Sequence, residues 1–365
     1  NCYYEEYMNI FFKLSARGKI SLFLGLGTVL VGASLLFFAF HTKAVSNVYH
    51  VRIDGNDVAC AGQSNVAYNP GGSQAAGSQN CAFRTIQKAA DSLIPGDDIS
   101  IHAGTYAPFT LWGVGGGTAG HVASLFQATA ADPTIISGDS SSTVIIDGTG
   151  NSAAIYSHGS GGSSGATRFI TFRNMHLKGG VNAAMYLDRT HSDITIQDIY
   201  MDGFQGLGGN SGGTINGGRH ASGIRDAAII LHPNYYDTNI TVDGVTMIGG
   251  PYYCAASQSG VSTLFCGVDG SAINFNGTGN IRRVYAEKFL GNFLLRAPQN
   301  GVVEYNTVKD FFCDSDDGCI QLYNVANATI RYNTFVNTAS INDALAILRL
   351  RRSNVCTTMP SAKIY

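Results

Sequence analysis

Five stretches of this chain share one pattern, and that repeat limits the folds open to it more than any other feature. Each holds a short apolar strand, a turn, a second strand, another turn and a third strand. They are residues 183–201 (AAMYLDRTHSDITIQDIYM), 227–247 (AAIILHPNYYDTNITVDGVTM), 271–289 (SAINFNGTGNIRRVYAEKF), 292–308 (NFLLRAPQNGVVEYNTV) and 318–335 (GCIQLYNVANATIRYNTF). Alignment on Leu187, Leu231, Phe275, Leu295 and Leu322 gives spacings of 44, 44, 20 and 27 residues. A second anchor set, Ile196, Val242, Val284, Val303 and Ile330, is followed five residues on by Met201, Met247, Phe289, Val308 and Phe335. A partial earlier copy, FITFRNMHL, contributes Phe172 and Leu177.

The short spacings correspond to one turn of a coil built from three strands. Alternation of period two buries one side chain in two along each strand. A single coil cannot bury its apolar face alone, so successive coils must stack. The 44-residue steps are the same coil carrying an insertion, residues 203–226 and 249–270, and both insertions leave from one corner. A propeller or sandwich needs hairpin signals between antiparallel strands, which the three-strand unit with its Asn-containing turns fits worse. Composition agrees. Charged residues are 13%, about half the usual ~25%, and Gly numbers 45 of 365. The expected domain, residues 47–365, is therefore an all-β right-handed parallel β-helix. The net charge of −2 supplies no basic footprint for nucleic acid.

Residues 1–46 read as an export segment. Residues 8–19 carry Lys13, Arg17 and Lys19 and no acid, and residues 20–40 run for 21 positions without a charge. At 1.5 Å per residue that run spans the ~30 Å apolar core of a bilayer. The preceding cations keep the N-terminus in the cytoplasm and send the rest across. The run exceeds the ~7–15 residues of a cleavable signal, which favours a transmembrane anchor. Ala44-Val45-Ser46 is the alternative cleavage site. The expected location is extracytoplasmic, at the cell surface or in the periplasm, either anchored or secreted. Met8 is read as the natural start, and the chain as a fragment truncated at its C-terminus.

Export permits disulfides. Of the eight cysteines, Cys2 precedes Met8, and Cys60/Cys81, Cys254/Cys266 and Cys313/Cys319 form neighbouring pairs, with Cys356 left over. That pairing is one of fifteen for six cysteines.

The first coil needs a cover, because an open strand edge invites pairing with another chain. Phe83, Ile86, Ala90 and Leu93 fall at helical spacing, and Pro95-Gly96 ends the helix. Residues 97–106 (DDISIHAGTY) then alternate as a strand, with Ile99 and Ile101 on one face. The stretch CAFRTIQKAADSLIPGDDISIHAGTY resembles the N-terminal cap and first coil of pectate-lyase-like β-helix proteins, with a Phe-x-Thr-Ile-Gln helix, a Pro-Gly-Asp turn and a Gly-Thr-Tyr. With the coils, the resemblance covers most of residues 49–337. It implies a fold shared by polysaccharide lyases, polygalacturonases, epimerases and non-catalytic surface binding proteins, so activity has to be argued from the site.

On the first strand of each coil, the residues flanking the anchor are expected to face outward. They are Tyr186 and Asp188, Ile230 and His232, Asn274 and Asn276, Leu294 and Arg296, Gln321 and Tyr323, then Arg349 and Arg351. The alternative is a plain solvated face. Of these, Asp188, Asn274, Asn276, Gln321 and Tyr323 are candidate substrate-binding residues. Arg296, Arg349 and His232 are the candidate catalytic groups. His191, Arg219, His220 and Arg225 are weaker.

The sharpest local signal is Cys313-Asp-Ser-Asp-Asp-Gly-Cys319, with Asp314, Asp316 and Asp317 within four residues. Clustered carboxylates repel unless a cation or proton neutralises them, and Ca²⁺ takes six to eight oxygen ligands. The segment resembles the Asn/Asp-Ser-Asp-Asp-Gly run of one pectate lyase family, which implies calcium on Asp316 and Asp317. It departs from that family at Ile320 and Gln321, where a further Asp is expected. A structural acidic turn and a hydrolase carboxylate pair stay open beside it. Asn239-Ile-Thr, Asn276-Gly-Thr and Asn327-Ala-Thr match glycosylation sequons, but turn chemistry explains them more simply.

The expected function is a carbohydrate-active, lyase-like protein acting on an acidic polysaccharide by β-elimination. The alternative is a non-catalytic carbohydrate-binding or surface-structural protein. The expected partners are the polysaccharide and, through the N-terminal helix, a membrane. The uncharged run yields a direct test: the protein should sediment with membranes and resist carbonate extraction, whereas recovery of a soluble form beginning near Asn47 would show cleavage.

Overall fold

The computed structural model describes residues 46–73, 75–112, 128–158, 167–204, 227–231, 236–249, 253–254, 266–267, 271–289, 292–294, 296, 298–311, 319–323, 327–336, 348–351 and 362–364. Their strands cycle through three sheets in a fixed order. Sheet 1 holds β4 (Phe109–Trp112), β7 (Ile155–His158), β10 (Met185–Asp188), β13 (Ala227–Leu231) and β18 (Ser271–Asn274). Sheet 2 has ten strands: β1 (Val48–Val51), β2 (Asp98–Ile101), β5 (Thr134–Gly138), β8 (Thr167–Arg173), β11 (His191–Gln197), β14 (Asp237–Asp243), β19 (Gly277–Arg282), β21 (Gln299–Glu304), β24 (Ala328–Arg331) and β27 (Ala362–Ile364). Sheet 3 holds β3 (Gly104–Tyr106), β6 (Val144–Asp147), β9 (His176–Lys178), β12 (Tyr200–Asp202), β15 (Thr246–Ile248), β20 (Tyr285–Phe289), β22 (Thr307–Phe311) and β25 (Thr334–Val336). A separate pair, β23 (Ile320–Tyr323) and β26 (Leu348–Arg351), joins sheet 1 through Leu294, which bridges both Ile273 and Ile320. Every pairing within these sheets is parallel, so the architecture is a parallel β-helix. Crossovers between parallel neighbours are right-handed in ~98% of cases, which is the physical ground for expecting a right-handed coil.

The register explains which residues the sequence must make apolar. Ile170, Ile194 and Ile240 stack in sheet 2, as do Phe172, Ile196, Val242, Ile281, Val303 and Ile330. All are fully buried except Ile330, at 6% exposed. Two expected anchors are corrected. Val242 pairs with Ile281, not Val284, and its partner five residues on is Ala286. Val284 is a buried corner residue, so the apolar set 281, 284, 286, 289 satisfied a five-residue step in two ways. In sheet 1 the buried residue bridging Ile273 and Ile320 is Leu294, and the expected anchor Leu295 lies outside the described residues. Inside the coils Phe204, Phe289 and Phe311 form a file of rings 5.7 and 5.0 Å apart.

The corner from sheet 2 to sheet 3 is two residues long. Its first residue is left-handed in six coils: Asn174, Asp198, Gly244, Arg283, Tyr305 and Tyr332. Asn and Gly tolerate that conformation best. In the last two coils the second corner residue is an inward asparagine. Asn306 accepts from the Val284 N–H at 2.9 Å and donates to the Ile281 carbonyl at 3.1 Å and to Asn333 Oδ1 at 2.8 Å. Asn333 donates to the Val303 carbonyl at 2.9 Å. Asn239 and Asn327 of the sequons are also left-handed, with Asn239 donating to Asp193 and Asn327 to Asn300. Asn239 does so inside β14, where the register shifts, and not in a turn, whereas Asn327 stands just before β24.

The expected cap forms, as α1 (Ile86–Ser92), shorter than the apolar spacing implied. Thr85 caps it, accepting from the Lys88 N–H at 3.2 Å, and Asp57 accepts from Arg84 N, Thr85 N and the Thr85 hydroxyl. Gln87 closes the open edge of sheet 1. Its amide accepts from the Thr110 N–H at 2.8 Å and donates to the Thr110 carbonyl at 3.0 Å, so one side chain imitates a neighbouring strand. The Pro-Gly-Asp turn has a like role. Asp97, buried, accepts from Asn47 N at 2.8 Å and Ile94 N at 3.1 Å, binding the start of β1 to the helix exit. Residues 97–106 do not make one strand. They turn the corner at His102-Ala103, with β2 in sheet 2 and β3 in sheet 3. The Tyr106 hydroxyl fixes that corner by donating to the His102 carbonyl at 2.7 Å.

The expected transmembrane run at residues 20–40 lies outside the described residues, and among the described residues no helix is long and apolar enough to cross a membrane. Cys60 and Cys81 form a disulfide. Cys319 is also disulfide-bonded. Cys254 and Cys266 face each other in register on an antiparallel pair, β16 (Tyr253–Cys254) and β17 (Cys266–Gly267). Because Ile196 is fully buried between Phe172 and Val242, Ile196→Asp should cost about 4 kcal/mol or more. Denaturant unfolding measures this, and a variant as stable as the parent would contradict the stacked core.

Candidate functional site

Alternation along sheet 1 sends one residue in two outward. In the first coils Thr110, Tyr156 and Tyr186 form one column of register partners, and Asp188 lies two residues further along β10. Tyr156 donates its hydroxyl to Asp188 Oδ2 at 2.9 Å, and its ring meets Tyr186 edge-on with centroids 5.2 Å apart. Arg189 Nε lies 4.0 Å from Asp188 Oδ2. Burial first, then the Asp188 charge, pushes the Tyr156 phenol far above its usual range. Tyr156 is therefore a hydrogen-bond donor and not a base. The group is a partly exposed aromatic and carboxylate platform, of a kind that can stack on a sugar ring and accept from its hydroxyls.

Sequence reasoning found Asp188 and Tyr186 here but missed Tyr156. It lies on β7, whose coil diverges from the repeat through the segment TIISGDSSSTVIID. The signal available was the alternation of AAIYSH (153–158), which parallels AAMYLD (183–188).

The other expected residues scatter. Asn274 is in register with Ile230, and both are buried, so the outward column is covered there. Asn276 is half-buried at the corner, its carbonyl accepting from Asp237 N at 2.9 Å. Arg296 is half-buried, and counting by twos it falls with inward Leu294 instead of on the expected outward column. Gln321 pairs with Arg349 and Tyr323 with Arg351. His232, Asp314, Asp316 and Asp317, with the weaker Arg219, His220 and Arg225, lie outside the described residues. The acidic segment falls in the chain between β22 and β23, the same sheet 3 to sheet 1 connection that carries the long insertions. Among the described residues no group of three His, Cys, Asp or Glu is arranged to hold a metal ion.

Two other clusters imitate catalytic sites. Ser157, His191 and Asp237 lie in the order of a hydrolase triad, with Ser157 Oγ 3.0 Å from His191 Nε2. All three are at most 1% exposed, and His191 Nδ1 is 3.0 Å from the Arg189 carbonyl, nearer than the 3.8 Å to Asp237. This is an interior network closed to solvent, which removes His191 as a base. On sheet 3, Asp202 and Glu287 stand two rungs apart, with Ile248 between them. His176 bonds Asp202 at 2.7 Å. Although burial opposes it, hydrogen bonds from Tyr285 and Lys309 hold the Glu287 carboxyl below its usual range. A glycosidase pair needs one carboxyl kept protonated, and Glu287 is ionised instead.

No family model and no curated protein matches this chain. Solved structures do resemble it. An alginate lyase from Paenibacillus sp. str. FPU-7 shares 14% identity, covering 77% of this chain and 92% of its own, with a TM-score of 0.38. A GH136 lacto-N-biosidase from Eubacterium ramulus shares 11%, covering 87% and 68%, with a TM-score of 0.36. A pectin methylesterase from carrot shares 9%, covering 86% and 91%, with a TM-score of 0.33. The class is defined by this chain's own registers: a three-sheet parallel β-helix capped by a helix.

The raised phenol gives a direct test. In a spectrophotometric titration, the difference between the wild type and Tyr156→Phe should show no phenolate from Tyr156 at pH ~10, the ordinary midpoint. A phenolate appearing there would contradict the Tyr156–Asp188 contact.

Proposed function

We propose that this chain is an extracytoplasmic carbohydrate-active protein whose polysaccharide lies along the outer face of sheet 1. The observation that carries the reading is the Tyr156–Asp188–Tyr186 platform on a face bordered by the corner where the long connections leave. Aromatic faces and fixed carboxylates suit sugar rings, whose hydroxyls need acceptors and whose C–H faces need apolar contact.

The reaction we assign is β-elimination on a uronate polymer. A base takes the proton α to the carboxylate, the bond to the leaving oxygen at the β-carbon breaks, a carbon–carbon double bond forms, and the leaving oxygen acquires a proton. Arg349 and His232 are the proposed groups for the base and for holding the enolate charge; Arg296, aligned with the inward residues, is left out of that set. His232 is the one whose ordinary pKa, ~6.5, suits a base near neutrality. Support comes from chain order. Cys319 closes the acidic segment, and Gln321, two residues on, pairs with Arg349. The carboxylates of Asp314, Asp316 and Asp317 are hard oxygen donors that fit Ca²⁺. Bound there, it would neutralise the substrate carboxylate and raise the acidity of the α-proton.

Calcium should raise the melting temperature of the wild type but not of the Asp316→Asn, Asp317→Asn double variant. Incubation with polygalacturonate or alginate should yield unsaturated, ultraviolet-absorbing ends, lost on adding a chelator. Calcium stabilisation without cleavage would mean a polysaccharide-binding protein; neither response would overturn the lyase reading.

A further inference from the structure

Across three rungs at the N-terminal end of sheet 2 runs a chain of titratable groups that no part of the sugar-binding face uses. His50 lies in β1, the outermost strand. Its Nδ1 is 3.0 Å from Nε2 of His102, at the corner after β2. His102 Nδ1 is 3.2 Å from Oδ2 of Asp139, which follows β5. The same Asp139 oxygen accepts from Ala103 N at 3.2 Å, and the two imidazoles lie nearly parallel, with centroids 5.2 Å apart.

Proton positions follow from the partners. A carboxylate only accepts, so His102 Nδ1 carries a hydrogen and donates to Asp139. The His102 Nε2 is then free to accept from His50 Nδ1. This arrangement tolerates one added proton, on the far nitrogen of His50. It does not tolerate two, because both nitrogens of the 3.0 Å contact would then carry hydrogens. The other groups facing the pair do not supply a replacement acceptor. Arg52 and Asp54, just beyond β1, are paired with each other at 2.7 Å. Tyr106 donates to the His102 carbonyl. The His50 main-chain N–H is bound to the Gly62 carbonyl at 2.7 Å, on the disulfide loop.

We propose that His50, His102 and Asp139 form an acid-released latch that holds β1 against β2 at neutral pH and lets it go when both imidazoles are protonated. The direction agrees with His50 itself, whose pKa is lowered by burial first and by His102 second, against the opposing Asp139 charge. With the folded value depressed, the unfolded chain binds the proton more readily. That stability is present in full above the unfolded value of ~6.5 and is lost as pH falls from there through the lower folded value. Release would bare the edge of β2, the kind of edge that pairs with another strand.

The test is hydrogen exchange on the full chain, corrected for intrinsic rates, read at residues 48–51 and, as an internal reference, 134–138. From pH ~7.5 to ~5, protection of 48–51 should fall about tenfold relative to the reference, the scale of one charge-assisted hydrogen bond. His50→Gln keeps an N–H donor without a titrating group and should flatten the change. Asp139→Asn removes the anion that favours imidazolium and should move the transition to lower pH. A flat wild type, an equal fall in His50→Gln, or an unmoved transition in Asp139→Asn would each overturn the latch.

Discussion

The parallel backbone ladder between coils is the interaction on which the rest depends. A coil of three short strands has no interior of its own, and its N–H and C=O groups find partners only in the coils before and after. Once the register of Ile196 against Phe172 and Val242 is set, every second residue along the strand is committed inward. Isoleucine, valine and phenylalanine stacks, the left-handed corners and the Asn306–Asn333 rungs then follow as local ways of keeping one coil directly above the next.

A ladder has ends, and the first end accounts for the most specific part of the sequence. Sheet 1 is closed by the Gln87 amide at Thr110, sheet 2 by β1, and β1 by Asp97, the disulfide loop and the histidine chain. The Phe-x-Thr-Ile-Gln, Pro-Gly-Asp and Gly-Thr-Tyr signatures are thus terminal hydrogen bonds written as residue types. Thr85 caps, Gln87 imitates a strand, Asp97 fastens a neighbour and Tyr106 fixes a corner.

The same geometry separates candidate chemistry from its imitations. Tyr156, Tyr186 and Asp188 on the outer face of sheet 1 are partly exposed, so the Tyr156–Asp188 contact is available to a ligand. One residue away along β7, Ser157 points inward, and with His191 and Asp237 it builds a triad-like network that solvent does not reach. Chemistry-bearing residue types occur on both sides of the strand, and alternation alone decides which of them substrate can touch.

By itself the sequence determined the coil, its three strands, the corner that carries the insertions and the cap. Those features depend on period-two alternation, on apolar anchors recurring along the chain and on turn and capping residues, all of which are local. Register was legible only where one apolar alignment excluded the others. At residues 281–289 two did not, and at 294–296 a slip of one residue exchanged inside for outside and moved Arg296 off the outward column. The candidate site was half visible for the same reason: Asp188 and Tyr186 sit in a clear repeat, while Tyr156 comes from a coil whose repeat is degraded. Tertiary structure alone brought Gln87 to Thr110, His50 to His102 and Tyr156 to Asp188. These contacts join residues 23, 52 and 32 positions apart, and the stacking of coils, which no local pattern encodes, creates each of them.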